Sequence, residues 1–140
     1  MAHELEATAV WRGDWATDVR ARGHEVRVDE PVDAGGDDTG MMPTELFCSA
    51  LASCFCLAVA FTARKRGIEV AGLTVRVRAW RAGRELRYER LEVQTSADVE
   101  DAQLKELVER ARHLCWVSNT LAAGVGVEYG RTSRNARFGK

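Results

Sequence analysis

The chain has no excess of charge of either sign, because 20 lysines and arginines stand against 21 aspartates and glutamates. Such a balance creates no field that would draw nucleic acid or an anionic membrane to the protein. Internal repeats, low-complexity tracts and dividing linkers are also absent from the sequence. The 140 residues therefore indicate a single globular domain, of a length that buries about two-thirds of the unfolded surface.

The sequence has four cysteines but no CxxC pair. On a helix that turns by about 100° per residue, Cys54 points away from Cys48 and Cys56, which disfavours a zinc site built with Cys115. The first ten residues, MAHELEATAV, lack the apolar core of a secretory signal. We therefore expect a cytoplasmic protein whose thiols are free of structural disulfides.

The longest uncharged run extends from Leu46 to Ala63 and is followed by three basic residues. This profile is typical of a short membrane span with a positive flank, but its many alanine, serine and cysteine residues make it only mildly hydrophobic. Amphipathic segments also surround it on both sides. We therefore predict a central helix over residues 43–66, buried on nearly every side, which begins at Pro43 and is closed by Gly67.

Strand patterns dominate the N-terminal part of the chain. Residues 5–11, 15–20 and 24–29 alternate weakly between apolar and polar side chains, with a glycine at each turn between them. These segments predict a small meander within residues 1–30. A loop rich in glycine and aspartate, PVDAGGDDTGMM, connects the meander to the central helix.

After the central helix, the segment LTVRVRAW alternates cleanly and predicts a half-buried strand. The following strand changes its inward face midway, which predicts a β-bulge or a barrel-like bend near Arg90. The pattern LKELVERARHL indicates a surface helix that starts at Asp101 and ends just before Cys115. A last strand, VGVEY, and a basic, solvated tail at residues 131–140 complete the order of an α+β domain.

The segment GGDDTGMMPTELFCSALASCFCLAVAFTARKRGIEVAGLTVRV contains two glycines, Pro-x-Glu-Leu, a small-residue helix with cysteine, and Gly-Ile before an alternating strand. In that order, these features resemble the core of the OsmC/Ohr family. The segment CWVSNTLAAGVGVEY is similar to the second motif of that family, Cys-Pro-Val-Ser-Asn-Thr-Leu, with Trp116 in place of the proline. Because both cysteine motifs occur in the right order across roughly residues 24–129, the chain is identified as a member of this family.

The resemblance implies antiparallel sheets packed around a long buried helix in an intertwined homodimer. It also implies a thiol-dependent peroxidase, without metal or cofactor, that reduces alkyl or fatty-acid hydroperoxides. Cys54 matches the peroxidatic cysteine, which becomes a sulfenic acid, and Cys115 matches the resolving cysteine, which condenses with it to a disulfide. The reductant would be an external dithiol, in this family often a protein-bound dihydrolipoyl group.

A free cysteine is only a few per cent thiolate at neutral pH, so a buried peroxidatic thiol needs a neighbouring cation. In this family the cation is an arginine, held by a glutamate near the start of the cysteine helix. Thr44 occupies the usual position of that glutamate, and Glu45 lies next to it, about 100° around the helix. Two roles stay open for Glu45, which are to orient the arginine or to be an acid at the positive end of the helix dipole.

Four arginines of the N-terminal meander are candidates for that cation. Arg12 is favoured, because it lies in the turn WRGDW, where Trp11 and Trp15 could hold it by stacking. The other candidates are Arg20, Arg22 and Arg27.

A second function stays open beside the peroxidase, because Thr44 replaces the expected glutamate. A non-peroxidatic member of the family would bind a hydrophobic ligand or act as a redox-responsive partner. For either function, apolar side chains could line an entrance, and these are Met41, Met42, Phe47 and Phe55. We expect Cys48 and Cys56 to be small core residues, and Ser118 and Asn119 to cap the short helix of the second motif.

Overall fold

The computed structural model describes residues 3–134, which form an α+β fold. Three short strands come first, followed by a long helix, a two-stranded hairpin and two further helices. In chain order these elements are β1 (Thr8–Trp11), β2 (Thr17–Ala21), β3 (His24–Val28), α1 (Pro43–Lys65), β4 (Thr74–Arg81), β5 (Tyr88–Ser96), α2 (Asp101–Ala111) and α3 (Trp116–Ala123). The order confirms the expected fold class.

Local signals set both ends of α1. Pro43 occupies the first position, where its missing backbone N–H removes no helical hydrogen bond. The backbone N–H of Met42 donates to Oε1 of Glu45 at 3.0 Å and closes the first turn. After the helix, Gly67 takes a left-handed conformation with a φ of 65°, which glycine adopts without strain. The helix predicted over residues 43–66 agrees with the structure to within one residue.

One stripe of α1 forms the centre of the hydrophobic core. The residues of this stripe recur at the spacing of a helical face and pack against α2, α3 and β4. They are Leu51, Phe55, Ala58, Val59, Thr62 and Ala63. From α2, Leu107 and Ala111 complete the core, and neither has exposed surface.

The opposite face of α1 stays open in the single chain. Leu57 on this face is 70% exposed and Phe61 is 52% exposed. The prediction that α1 is buried on nearly every side is therefore only partly confirmed, because α2, α3 and β4 all cover the same stripe.

By length and composition α1 could cross a membrane, and 33% of its most apolar window is buried. Its packing against three other elements is that of a core helix.

The hairpin of β4 and β5 contains the irregularity expected near Arg90. Its register pairs Trp80 with Arg90 but Arg81 with Tyr88, so Glu89 is the extra residue of a β-bulge. The guanidinium of Arg90 lies 3.6 Å from the centre of the Trp80 ring, in a cation–π contact. The predicted bulge is confirmed at the predicted place.

β1, β2 and β3 form an antiparallel sheet in that order, as predicted, with few contacts to α1 or the hairpin. The loop between this sheet and α1 is organised by Asp29, which is 2% exposed. Its carboxylate accepts hydrogen bonds from the N–H and hydroxyl of Thr39 and from the N–H of Glu30. The N–H of Asp29 also donates to the carbonyl of Met41 at 3.1 Å, which fixes the chain where it enters α1.

The predicted last strand is wrong for the single chain. α3 ends at Ala123, and the segment VGVEY after Gly124 belongs to no strand among the residues that the structure describes. Its apolar side chains, Val125, Val127 and Tyr129, are exposed. The alternation that predicted a strand is present, but a strand also needs a partner, and within residues 3–134 no strand pairs with this segment. Of the predicted basic tail, residues 131–134 are exposed and lack regular structure, and residues 135–140 lie outside the described residues.

Candidate thiol site

The fold brings together the two cysteines that are 61 positions apart in the sequence. Cys54 lies half-buried on α1, and Cys115 lies directly before α3 with 0% of its surface exposed. Both pack in the same core cluster, beside Phe55 and Leu107. The side chain of Cys54 lies near enough to Cys115 to contribute to the lowering of that thiol's pKa. The packing of α1 against α3 therefore creates a pair of adjacent thiols inside one chain.

The surroundings of Cys115 favour its ionised form. Burial is the largest influence on this thiol and acts to raise its pKa, but several hydrogen-bond donors outweigh it, so that the pKa falls below its ordinary value. The side chain of Ser118 acts in this direction, and so do the backbone N–H of Ser118, the side chain of Cys54 and the backbone N–H of Val117. Cys115 is thus a buried sulfur with a local environment suited to a thiolate.

The position of Cys115 at the helix terminus explains these donors. Cys115 is the N-cap of α3 in an extended conformation, directly before the first free N–H groups of the helix. The sulfur makes no side-chain capping hydrogen bond of standard geometry. It nevertheless lies close enough to the N–H groups of Val117 and Ser118 for their dipoles to stabilise negative charge.

Ser118 and Asn119 hold the start of α3, although neither occupies the N-cap position that we predicted for them. The Ser118 hydroxyl donates to the carbonyl of Cys115 at 3.3 Å, and the Asn119 amide donates to the carbonyl of His113 at 3.2 Å. Cys115 itself is the cap, which the sequence did not indicate because cysteine is rare among capping residues. Trp116 begins the helix in the place where the family motif has proline.

Glu45 and Thr44 lie at the start of α1, away from the thiol pair. Nine residues of helix separate Glu45 from Cys54, a rise of about 13 Å. Both Glu45 and Thr44 are exposed, and the Glu45 carboxylate accepts the backbone N–H of Met42. In the single chain, Glu45 therefore caps its helix and contacts no arginine among the described residues.

Arg12 is held by a carboxylate that sequence analysis missed. Its Nε donates to Oδ2 of Asp18 at 2.6 Å, and Nε of Arg27 donates to Oδ1 of the same residue at 2.6 Å. Asp18 is 7% exposed, and its two arginines hold its pKa below the ordinary range, Arg27 more strongly than Arg12. Trp11 and Trp15 are both exposed. Ion pairing to Asp18, rather than stacking, therefore orients Arg12.

The register of β2 and β3 explains this cluster. Asp18 stands directly opposite Arg27 in the antiparallel pair of β2 and β3, and opposite charges across such a pair attract. Of the other candidates, Arg20 pairs with Glu25 on the surface, and Arg22 lies in the β2–β3 turn with a positive φ of 56°. Within residues 3–134, no arginine is bonded to Cys54, so the sequence-predicted cation and the thiols are not brought together in one chain.

A cavity of about 400 Å³ lies between α1, β5, α2 and α3, and neither Cys54 nor Cys115 is among its lining residues. Its lining combines apolar side chains with polar groups of α2 and α3, and consists of Phe55, Val93, Val108, Arg112, His113, Ser118, Asn119 and Ala122. Phe55, which we expected at an entrance, is a core residue that also forms one wall of this cavity. The described residues contain no cluster of three or more histidine, cysteine or acidic side chains suited to a metal ion.

Solved structures share this fold. An OsmC-like protein from Mycoplasma pneumoniae superposes with a TM-score of 0.75 at 19% identity, over 87% of this chain and 89% of that one. An organic hydroperoxide resistance protein from Elizabethkingia anophelis superposes with a TM-score of 0.65 at 25% identity, over 86% of this chain and 89% of that one. A third, from Legionella pneumophila and also named an organic hydroperoxide resistance protein, superposes with a TM-score of 0.65 at 21% identity, over 86% and 90% of the two chains.

Sequence comparison agrees with the structural likeness. No curated protein matches the chain significantly. The sequence profile of the OsmC-like protein family, however, matches residues 35–130, which include α1 with Cys54, the hairpin, α2 and α3 with Cys115. Because this match extends over more than half of the chain, the protein belongs to the OsmC family.

Proposed function

We propose that this protein is a thiol peroxidase that reduces organic hydroperoxides to alcohols. The observation that carries the proposal is that Cys54 and Cys115 pack in the same core cluster, where the Cys54 side chain also contributes to lowering the pKa of Cys115. Free, adjacent thiols of this kind can cycle between dithiol and disulfide without a metal or cofactor. Two proteins of similar structure are named organic hydroperoxide resistance proteins, which supports this chemistry.

The proposed reaction consumes two thiols and one hydroperoxide. The Cys54 thiolate attacks the terminal oxygen of the peroxide, the O–O bond breaks, and the organic fragment leaves as an alcohol after taking up a proton. Cys54 is then a sulfenic acid. The Cys115 sulfur attacks the Cys54 sulfur, a disulfide forms, and the hydroxyl group leaves as water. An external dithiol, such as a lipoylated protein of the cytoplasm, restores both thiols.

The unequal exposure of the two sulfurs supports this assignment of roles. Cys54 is half-buried on α1, so part of its surface is exposed in the single chain. Cys115 has no exposed surface, so a peroxide cannot reach it without displacing its surroundings. Cys115 can, however, reach the neighbouring Cys54 once that residue is oxidised. Its lowered pKa favours the ionised form of this second nucleophile.

We further propose that Cys54 acquires its cation in a homodimer, from Arg12 of the partner subunit. Two unpartnered features of the single chain support a dimer, namely the apolar face of α1 with Leu57 and Phe61, and the alternating segment VGVEY. Apolar faces of this kind are characteristic of protein interfaces. Arg12 suits the role because Asp18 already orients its guanidinium, which leaves the other N–H groups available to a sulfur anion.

Turnover of cumene hydroperoxide in the presence of dihydrolipoamide tests the proposed function. We expect the protein to consume many equivalents of peroxide, because the dithiol can repeatedly reduce the disulfide. The measurement is peroxide concentration against time, with a protein-free sample as control. Consumption at the protein-free rate would contradict the peroxidase and would favour the ligand-binding alternative.

The dimer predicts a large effect of one charged substitution on the open face of α1. Leu57→Asp should convert the dimer to a monomer, because an aspartate buried in an apolar interface loses its hydration without a counter-ion. Leu86→Asp is the matched control, since Leu86 is 97% exposed in the loop between β4 and β5. Sedimentation velocity measures the oligomeric state of the wild type and of both variants. A wild-type monomer, or a Leu57→Asp variant that stays dimeric, would contradict the proposed interface.

A further inference from the structure

Asp18 is a buried carboxylate that joins two arginines from neighbouring segments of the N-terminal sheet. It lies on β2 and is 7% exposed. Its Oδ2 accepts a hydrogen bond from Nε of Arg12 at 2.6 Å, and its Oδ1 accepts one from Nε of Arg27, also at 2.6 Å. Arg12 directly follows β1, and Arg27 lies on β3. Each carboxylate oxygen therefore fixes one guanidinium.

Both arginines are held at the stem of the guanidinium and are free at its tip. Nε makes the bond to Asp18 in each case, and the terminal nitrogens of Arg12 and Arg27 have no hydrogen-bond partner within residues 3–134. The two side chains are 42% and 44% exposed. Because a guanidinium presents its N–H donors in a rigid fork, fixing Nε also fixes the direction of the remaining donors. They are therefore preorganised for an anion that another molecule supplies.

The second arginine determines the net charge of the Asp18 cluster, which consists of Arg12, Asp18 and Arg27. A single guanidinium paired with a carboxylate would be close to neutral from a distance. Two guanidiniums around one carboxylate leave one net positive charge. On the same face of the sheet, Arg20 pairs with Glu25, which adds no net charge. Arg27 therefore keeps the cluster cationic while Asp18 holds Arg12.

We propose that Asp18 is the positioning residue of the thiol site, which holds Arg12 in the orientation from which its terminal N–H groups reach Cys54 of the partner subunit. The inference rests on the proposed function, because it concerns the cation that the proposed dimer supplies to the thiol. Asp18 touches neither sulfur nor peroxide in this arrangement. It acts on the reaction only through Arg12.

The charge of Asp18 and its hydrogen bond to Arg12 act on that thiolate in opposite directions. The negative charge repels a thiolate, so that removing the charge alone would favour ionisation of Cys54. The hydrogen bond holds Arg12 in place, so that removing it releases an exposed side chain with many rotamers. Arg12 is the closer of the two charges in the proposed arrangement, and Coulomb interactions weaken with distance and with salt. The loss of positioning should therefore dominate.

Asp18→Asn separates the two effects by the sign of the change. Asparagine has nearly the same shape, but its amide nitrogen cannot accept a hydrogen bond from a guanidinium. We expect the thiolate fraction of Cys54 at pH 7 to fall about five- to tenfold, so that this thiol ionises at higher pH. Ionisation at lower pH would show that Asp18 acts through its charge alone, and an unchanged titration would show no coupling to the thiol. Either result would overturn the inference.

Ultraviolet thiolate absorbance against pH measures this change without a reagent that must reach Cys54. The full chain is titrated with Cys115→Ser in place, and the curve of the double variant Cys54→Ser, Cys115→Ser is subtracted. The difference isolates Cys54, because Cys48 and Cys56 are present in both proteins.

Asp29→Asn is the matched control for the loss of a buried carboxylate. Asp29 is 2% exposed and accepts hydrogen bonds from Thr39 and from the N–H of Glu30, but from no arginine among the described residues. Both variants should unfold at lower temperature, because each leaves buried donors without their charged acceptor. Only Asp18→Asn should move the Cys54 titration. An equal shift in Asp29→Asn would assign the effect to weakened folding and would contradict the positioning role.

Arg12→Lys tests the same arrangement at an exposed position, where a substitution is tolerated by the fold. Lysine keeps the positive charge, but its single ammonium group lacks the rigid fork that binds Asp18 at the stem and a sulfur at the tip. We expect the Cys54 titration to move to higher pH nearly as far as in Arg12→Ala. A wild-type titration in Arg12→Lys would contradict the inference, since charge alone would then be sufficient.

These titrations use neither peroxide nor reductant, so they separate the positioning role from the peroxidase reaction. A titration that responds to Asp18→Asn, in a protein that consumes no peroxide, would support the positioning role and contradict the peroxidase. Peroxide turnover with an unresponsive titration would contradict the positioning role and leave the peroxidase intact.

Discussion

Cys54→Ser is expected to lower peroxide consumption by at least about a thousandfold, because a serine hydroxyl does not ionise near neutral pH and cannot attack the O–O bond. Cys115→Ser should behave differently. It should consume one peroxide per chain and stop at the Cys54 sulfenic acid, since no second thiol of the pair remains to condense with it. Stopped-flow peroxide consumption and trapping with dimedone, followed by mass spectrometry, measure the two outcomes.

Cys56→Ser is the matched control for both variants. Cys56 lies two residues from Cys54 on the same helix and is also half-buried, but it is absent from the core cluster around Cys115. The control should therefore keep wild-type turnover. Equal activity in Cys54→Ser and Cys115→Ser, or a loss of activity in Cys56→Ser as large as in Cys54→Ser, would contradict the proposed division of roles.

Arg12→Ala is expected to slow the oxidation of the protein by cumene hydroperoxide at pH 7 by about tenfold to a hundredfold. The reason is electrostatic, because a guanidinium within a few ångströms of a thiolate stabilises its charge. In the proposed dimer, this guanidinium comes from the partner subunit. Stopped-flow intrinsic fluorescence, or quenched samples analysed by mass spectrometry, gives the rate of the first oxidation step separately from later reduction.

Two other arginines of the same sheet make this experiment specific. Arg20→Ala removes a surface arginine that pairs with Glu25, and it should leave the rate unchanged. Arg27→Ala removes the second arginine that pairs with Asp18. It should slow the oxidation less than Arg12→Ala does, since Arg12 still pairs with that carboxylate. A normal rate in Arg12→Ala, with a slow rate in Arg27→Ala, would transfer the role to Arg27 and contradict our assignment.

Structural features that depend only on residues close together in the sequence could be predicted from it. α1 begins and ends where Pro43 and Gly67 indicate, because both residues act through their own backbone geometry. The bulge near Arg90 was visible as a change of phase in the apolar alternation. The pairing of Cys54 with Cys115 was different, since it came from the resemblance to a family and not from periodicity or spacing.

Features that depend on distant contacts could not be predicted in the same way. The ion pairs of Asp18 depend on the register of three strands, and this register is invisible until the sheet is paired. Cys115 acts as the cap of α3 only because the core holds its side chain beside the helix N-terminus. The segment VGVEY has a strand pattern, but whether it pairs depends on an edge that the single chain does not provide.

The most direct test of the central claim is a single-turnover oxidation of the reduced protein. One equivalent of cumene hydroperoxide is added at pH 7, samples are quenched over seconds, and the oxidation state of each cysteine is determined by mass spectrometry. The account predicts fast and selective formation of a disulfide between Cys54 and Cys115, with Cys48 and Cys56 still reduced. Slow oxidation scattered over all four cysteines would contradict it.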